Sequence, residues 1–81
     1  MVFFVYILQN PNGRYYIGQT SDLSIRLQRH NDGKVFWTKN RGFWEIVYSQ
    51  PFQTRSEAMV EEKRLKSMKS KTAIDKLIAQ R

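Results

Sequence analysis

This sequence predicts a small α/β domain, a three-stranded antiparallel sheet flanked by helices in the order β-β-α-β-α-α. Three observations predict it. An aromatic and β-branched run from Phe3 to Leu8 is followed, across Asn10-Pro11-Asn12-Gly13, by a second run from Arg14 to Gln19, which is a hairpin pattern. Phe43 to Gln50 alternates as a third strand. The stretches between and after these strands carry capped, helix-spaced apolar residues. At 81 residues the chain is expected to form one domain with one core.

The hairpin comes first, and its turn chemistry sets its register. Proline presets φ at the second turn position, asparagine tolerates the third, and Gly13 can take the left-handed conformation that closes a type I turn with a G1 bulge. A three-residue loop, Pro11 to Gly13, pairs Asn10 with Arg14, Leu8 with Tyr16 and Tyr6 with Gly18, so Tyr6 and Tyr16 share a face. A four-residue loop would put them on opposite faces, because a one-residue slip inverts every side chain. The turn residues favour the two-tyrosine face, with Gly18 beside it.

Thr20 to Asp32 reads as the first helix, capped by Ser21 or Asp22 and stopped by Gly33. Leu23 and Leu27 form its buried stripe. Arg26 and His30, four apart, lie together on the border of that stripe, and Gln28 and Arg29 face water. Gly33 to Gly42 keeps no period and mixes Phe36 and Trp37 with Lys34, Lys39 and Arg41. In such a loop aromatic rings can stack on bases while the cations meet phosphate, or the rings can plug the core of a small domain.

The third strand is expected to place Trp44, Ile46 and Tyr48 on one face and to stop at Pro51. Thr54-Arg55-Ser56-Glu57 fits a capping box and opens a second helix that runs to about Ser67. Ala58, Leu65 and Met68 mark its buried side, and both Glu61 and Glu62 fall against it. A carboxylate there needs a nearby cation or a metal, and spacing alone does not choose between the two glutamates. After the basic turn Lys66, Lys69, Lys71, a last helix over about Thr72 to Ala79 buries Ala73, Ile74, Leu77 and Ile78.

Composition bounds the chemistry. With no cysteine and one histidine, disulfides and thiolate zinc sites are excluded, and any metal must rest mainly on oxygen ligands, as Mg²⁺ does. The apolar start is too short to span a bilayer and has no basic leader, so a cytoplasmic, monomeric protein is expected. Fourteen Lys and Arg stand against seven Asp and Glu. The excess is spread, six cations to three anions before Phe52 and eight to four from there on. A basic surface of this kind draws polyanions, and nucleic acid is the commonest.

Phe4-Val5-Tyr6 and Tyr16-Ile17-Gly18 stand where GIY-YIG nucleases carry their two name-giving tripeptides, with nine residues between the tyrosines. Arg26 follows Tyr16 by ten residues, His30 follows Arg26 by four, and Glu62 opens the run Glu62-Lys63-Arg64-Leu65-Lys66 on a later helix. That run resembles the E-K-x-L-K segment of small stand-alone members, as Leu65 to Ile78 resembles their C-terminal segment. The resemblance covers nearly the whole chain and selects Glu62 over Glu61.

It implies metal-dependent endonucleolytic hydrolysis of DNA, or of RNA, structure-selective or of low sequence specificity, in a setting such as repair or recombination. Glu62 would hold one Mg²⁺ or Mn²⁺, and Arg26 would clamp a phosphate oxygen. Tyr6 would be the general base or the group that orients water, once a basic pocket lowered its pKa, with Tyr16 beside it. His30 would extend the hydrogen-bond network or protonate a departing group, and Gly18 would allow close backbone approach. Arg29, Lys34, Trp37, Lys39, Arg41, Lys66, Lys69 and Lys71 would bind the strand, with low sequence specificity. Two departures stand out: Phe4 replaces the first motif glycine, and no asparagine occurs beyond Asn40. The competing reading is a nucleic-acid-binding module of the same fold without turnover.

Overall fold

The computed structural model describes residues 1–35, 38–39, 42–68 and 70–80. In chain order the elements are β1 (Phe3–Gln9), β2 (Tyr15–Thr20), α1 (Leu23–Asn31), β3 (Glu45–Phe52), α2 (Arg55–Lys66) and α3 (Lys71–Ala79). The strands form one antiparallel sheet in the order β2-β1-β3, so β1 is central and β2 and β3 are edges.

The hairpin closes as its turn residues require. Gly13, at φ 81°, donates its N–H to the Asn10 carbonyl at 2.9 Å, and Asn10 N–H reaches the Arg14 carbonyl at 3.1 Å. The Asn10 side chain adds an Asx turn, its Oδ1 accepting from the N–H groups of Asn12 and Arg14. Leu8 consequently opposes Tyr16 and Tyr6 opposes Gly18.

Alternation then sorts the side chains into two layers. Val5, Ile7 and Tyr48 pack with Ala58 and Leu65 of α2 and Ile74 of α3. Tyr6, Leu8 and Trp44 pack on the other face with Tyr16, Ile46 and the α1 residues Leu23 and Leu27. Helices thus cover both faces. Asp22 caps α1 through a bond from Ile25 N–H, and Thr54 and Glu57 form the reciprocal capping box of α2.

β3 departs from its expected reading in two ways. Tyr48 opposes Ile7, but Ile46 opposes Leu8, so the ladder skips Val47. This bulge switches faces, leaving Trp44 and Ile46 on the α1 side and Tyr48 on the α2 side. Pro51 also does not end the strand; it pairs with Phe4. An edge strand has a partner on one side only, and there a residue without an N–H is tolerated. No helix among the described residues is long and apolar enough to cross a membrane.

Candidate active site

Under α1, Arg26 and His30 meet at the Tyr6 hydroxyl, with Tyr16 beside them. Arg26 Nε–H donates to Tyr6 Oη at 3.0 Å, and His30 Nε2 lies 3.0 Å from the same oxygen. The other imidazole nitrogen, Nδ1, is 2.8 Å from Thr38 Oγ1, whose own proton goes to the Val35 carbonyl. In the tautomer with Nδ1–H donating to Thr38 Oγ1, Nε2 accepts the Tyr6 proton. The Tyr16 ring stands edge-on to His30 with centroids 4.6 Å apart and lies 6.4 Å from the Tyr6 ring.

Gly18 makes this arrangement possible. A Cβ there would lie 2.6 Å from Tyr6 Oη and 3.2 Å from Tyr16 Cε1, so the absence of a side chain is what lets the Tyr6 ring cross β2. On the far flank, Asn31 locks the start of β3, donating to the Trp44 carbonyl at 3.0 Å and accepting from its N–H at 2.7 Å. Trp44 Nε1–H in turn donates to the Thr38 carbonyl, which fixes the residue that orients His30.

Burial decides the protonation states. His30, expected at the border of the apolar stripe, is only 1% exposed, as is Tyr6. Burial, with the Arg26 charge beside it, pushes the His30 pKa down to about 4. Burial also pushes Tyr6 up to about 12, outweighing the opposing pull of Arg26, and the charges of Tyr16 and Glu62 raise it further. That is opposite to the lowering a tyrosine base needs. At neutral pH both groups are uncharged, and Arg26, whose own pKa the Tyr6 hydrogen bond raises, carries the positive charge. Tyr16 and Arg26, each half-buried, form the part of the cluster that solvent reaches.

Glu62 projects from α2 on the opposite side of the sheet, yet its charge is felt at Tyr6. Its Oε1 accepts from Gln19 Nε2 at 3.1 Å and its Oε2 lies 2.9 Å from Lys66 Nζ. Glu61 instead pairs with Arg64 at 2.7 and 2.8 Å, which accounts for its place on the helix without a metal. Among the described residues no group of three or more His, Cys, Asp or Glu is gathered. A metal would therefore rest on one carboxylate and complete its shell with neutral oxygens, water and phosphate, which suits Mg²⁺. Gln19 Oε1 is buried and without a hydrogen-bond partner among the described residues.

The expected strand-binding residues divide. Arg29, Lys34 and Lys39 are exposed. Lys66 is tied to Glu62, and Lys71 lies 3.7 Å from Asp75 and 5.5 Å above the Tyr15 ring. Trp37, Arg41 and Lys69 lie outside the described residues. A groove of about 610 Å³ is lined by Arg14 to Ile17 at the start of β2, by Trp44, and by Leu65, Lys66 and Met68 at the end of α2. Sequence reasoning did not single out Thr38, Asn31 or Gln19, whose roles depend on distant partners.

A family model described as the GIY-YIG catalytic domain matches residues 2–75. A UPF0213 protein of Oceanobacillus iheyensis is 42% identical over 66 residues, which span 80% of this chain and 77% of that protein. UPF0213 protein YazA of Bacillus subtilis is 36% identical over 69 residues, 84% of this chain and 70% of its own. The solution NMR structure of a UPF0213 protein from Bacillus halodurans superposes with a TM-score of 0.65 at 32% identity, covering 100% of this chain and 86% of that one.

Proposed function

The chain belongs to the GIY-YIG catalytic-domain family, and from that premise we propose that it is a divalent-metal-dependent endonuclease that hydrolyses DNA phosphodiester bonds with little sequence preference. The observation that carries the reading is the Arg26–Tyr6–His30 junction. A buried, neutral phenol and imidazole hold the guanidinium by its Nε, so the fork is fixed before substrate arrives. Such preorganisation makes a charge clamp effective as negative charge grows on a phosphate. Tyr16, at the solvent-facing side of the cluster, is positioned to bond the phosphate or the attacking water. Tyr6, kept protonated, orients Arg26 and passes its proton toward His30 Nε2 instead of serving as a resting phenolate. Glu62 would hold a single Mg²⁺ or Mn²⁺, whose chemistry when bound is neutralisation of phosphate charge and stabilisation of the leaving oxygen. Exposed Arg29, Lys34 and Lys39 and the groove along β2 supply a basic track for the strand, and contacts of that kind fix position without reading sequence.

The test is cleavage of labelled linear, nicked, flapped and four-way DNA with Mg²⁺ or Mn²⁺, beside Glu62→Ala protein and EDTA controls. Cutting by the wild type that both controls abolish is expected, and the ranking of substrates then defines structural preference. Salt-sensitive DNA binding without cutting would overturn hydrolysis in favour of a binding module.

A further inference from the structure

We propose that Thr38 is a positioning residue for the candidate site: its buried hydroxyl receives the His30 Nδ1 proton, which leaves Nε2 open to the Tyr6 hydroxyl and keeps the accepting side of that oxygen toward Arg26. Its bearing on cleavage rests on the hydrolytic reading above.

The direction of the chain is set at its arginine end. A guanidinium has only protons to give, so Tyr6 Oη accepts from Arg26 Nε–H at 3.0 Å. The phenol is 1% exposed, and its other hydrogen-bonding neighbour among the described residues is His30 Nε2, also at 3.0 Å. Its own proton therefore goes to Nε2. Burial and the Arg26 charge keep the imidazole neutral at neutral pH, and a neutral ring that accepts at Nε2 carries its proton on Nδ1. Nδ1 lies 2.8 Å from Thr38 Oγ1, and that hydroxyl is able to accept because its own proton has a separate outlet, the Val35 carbonyl at 3.4 Å. The reversed chain fails at the far end. Thr38 donating to Nδ1 would put the ring proton on Nε2, and two donors would then face Tyr6 Oη while the buried phenol proton had nothing to bond.

The loop holds Thr38 to this part. It is 1% exposed, its N–H donates to the Val35 carbonyl at 3.2 Å, and its carbonyl accepts the Trp44 indole N–H at 3.1 Å. With the backbone pinned from both sides, the hydroxyl is aimed at one nitrogen. Thr38 reaches Arg26 only through His30 and Tyr6, so it acts on the clamp by orienting the groups between them.

His30 is the chain's one histidine, so a long-range proton–nitrogen NMR spectrum at neutral pH shows a single imidazole and reports which nitrogen is protonated. The full chain is compared with Thr38→Val, which keeps the shape and removes the hydroxyl, and with Thr38→Ser, which keeps the hydroxyl; all three are assayed for DNA cleavage with Mg²⁺. Expected are an Nδ1 proton in the wild type and Thr38→Ser, with similar cleavage. In Thr38→Val the proton should move to Nε2 and cleavage should fall about tenfold, the order of one buried hydrogen bond. A wild type protonated on Nε2 would overturn the inference, and that readout needs no variant to fold. An Nδ1 proton retained in Thr38→Val, or a switched proton with unchanged cleavage, would overturn it as well. The expected protonation in all three proteins without any cutting by the wild type would support the hold of Thr38 on His30 and overturn the hydrolytic reading alone.

Discussion

His30 shows how one side chain converts a buried network into a pH dependence. Its pKa lies near 6.5 in an unfolded chain and is held at about 4 when folded, so below 6.5 the unfolded chain takes up a proton that the folded one refuses. The stability is therefore fully present above pH 6.5 and is lost as the pH falls toward 4, by on the order of 3 kcal/mol. Urea unfolding across that range should show the slope, and His30→Gln should flatten it, since this is the chain's one histidine. The spacing of Arg26 and His30 was legible because both sit on one helix. The depth of His30 was not, because it depends on Thr38 and Trp44, which approach through a loop with no periodic signal.

Among the elements, those whose boundaries are set by local chemistry were readable. Pro11, Asn12 and Gly13 specify the β1–β2 turn by their own φ preferences, and Thr54 with Glu57 caps α2 within four residues. β3 misled because Trp44, Ile46 and Tyr48 alternate regularly in sequence, whereas the bulge belongs to the pairing with β1. The bulge has a measurable consequence. Deleting Val47 leaves Tyr48 opposite Ile7 and Ile46 opposite Leu8, so both layers keep their side chains. That variant should stay folded and lose about 1–2 kcal/mol, the order of one half-buried valine, in denaturant unfolding. Deleting Ile17 from β2, where the ladder has no such slack, moves Tyr16 to the α2 side and should abolish cooperative unfolding. The α2 side of the candidate site was only half legible for a related reason. Glu62 stands out against an apolar helix face, but Gln19 lies forty-three positions away and nothing in its neighbourhood marks it.

On the scale of the whole molecule, two helical layers share one sheet, with the Arg26 clamp in one layer and the Glu62 carboxylate in the other. A sheet of ordinary residues acts as an insulator, its side chains holding the two sides apart. At Gly18 the Tyr6 hydroxyl lies directly against the β2 backbone, with no side chain between them. That closeness makes the phenol a voltmeter for the opposite layer: Glu62 raises its pKa, so Glu62→Gln should lower the Tyr6 pKa from about 12. Ultraviolet titration of the phenols in both proteins checks this, with Tyr6 identified by a Tyr6→Phe control; an unmoved Tyr6 would mean that the layers are electrically separate. The charge state of the carboxylate layer is thus reported to the guanidinium layer across the bare backbone at position 18, and any residue larger than glycine there would lift the phenol off that backbone and weaken the signal as well as the packing.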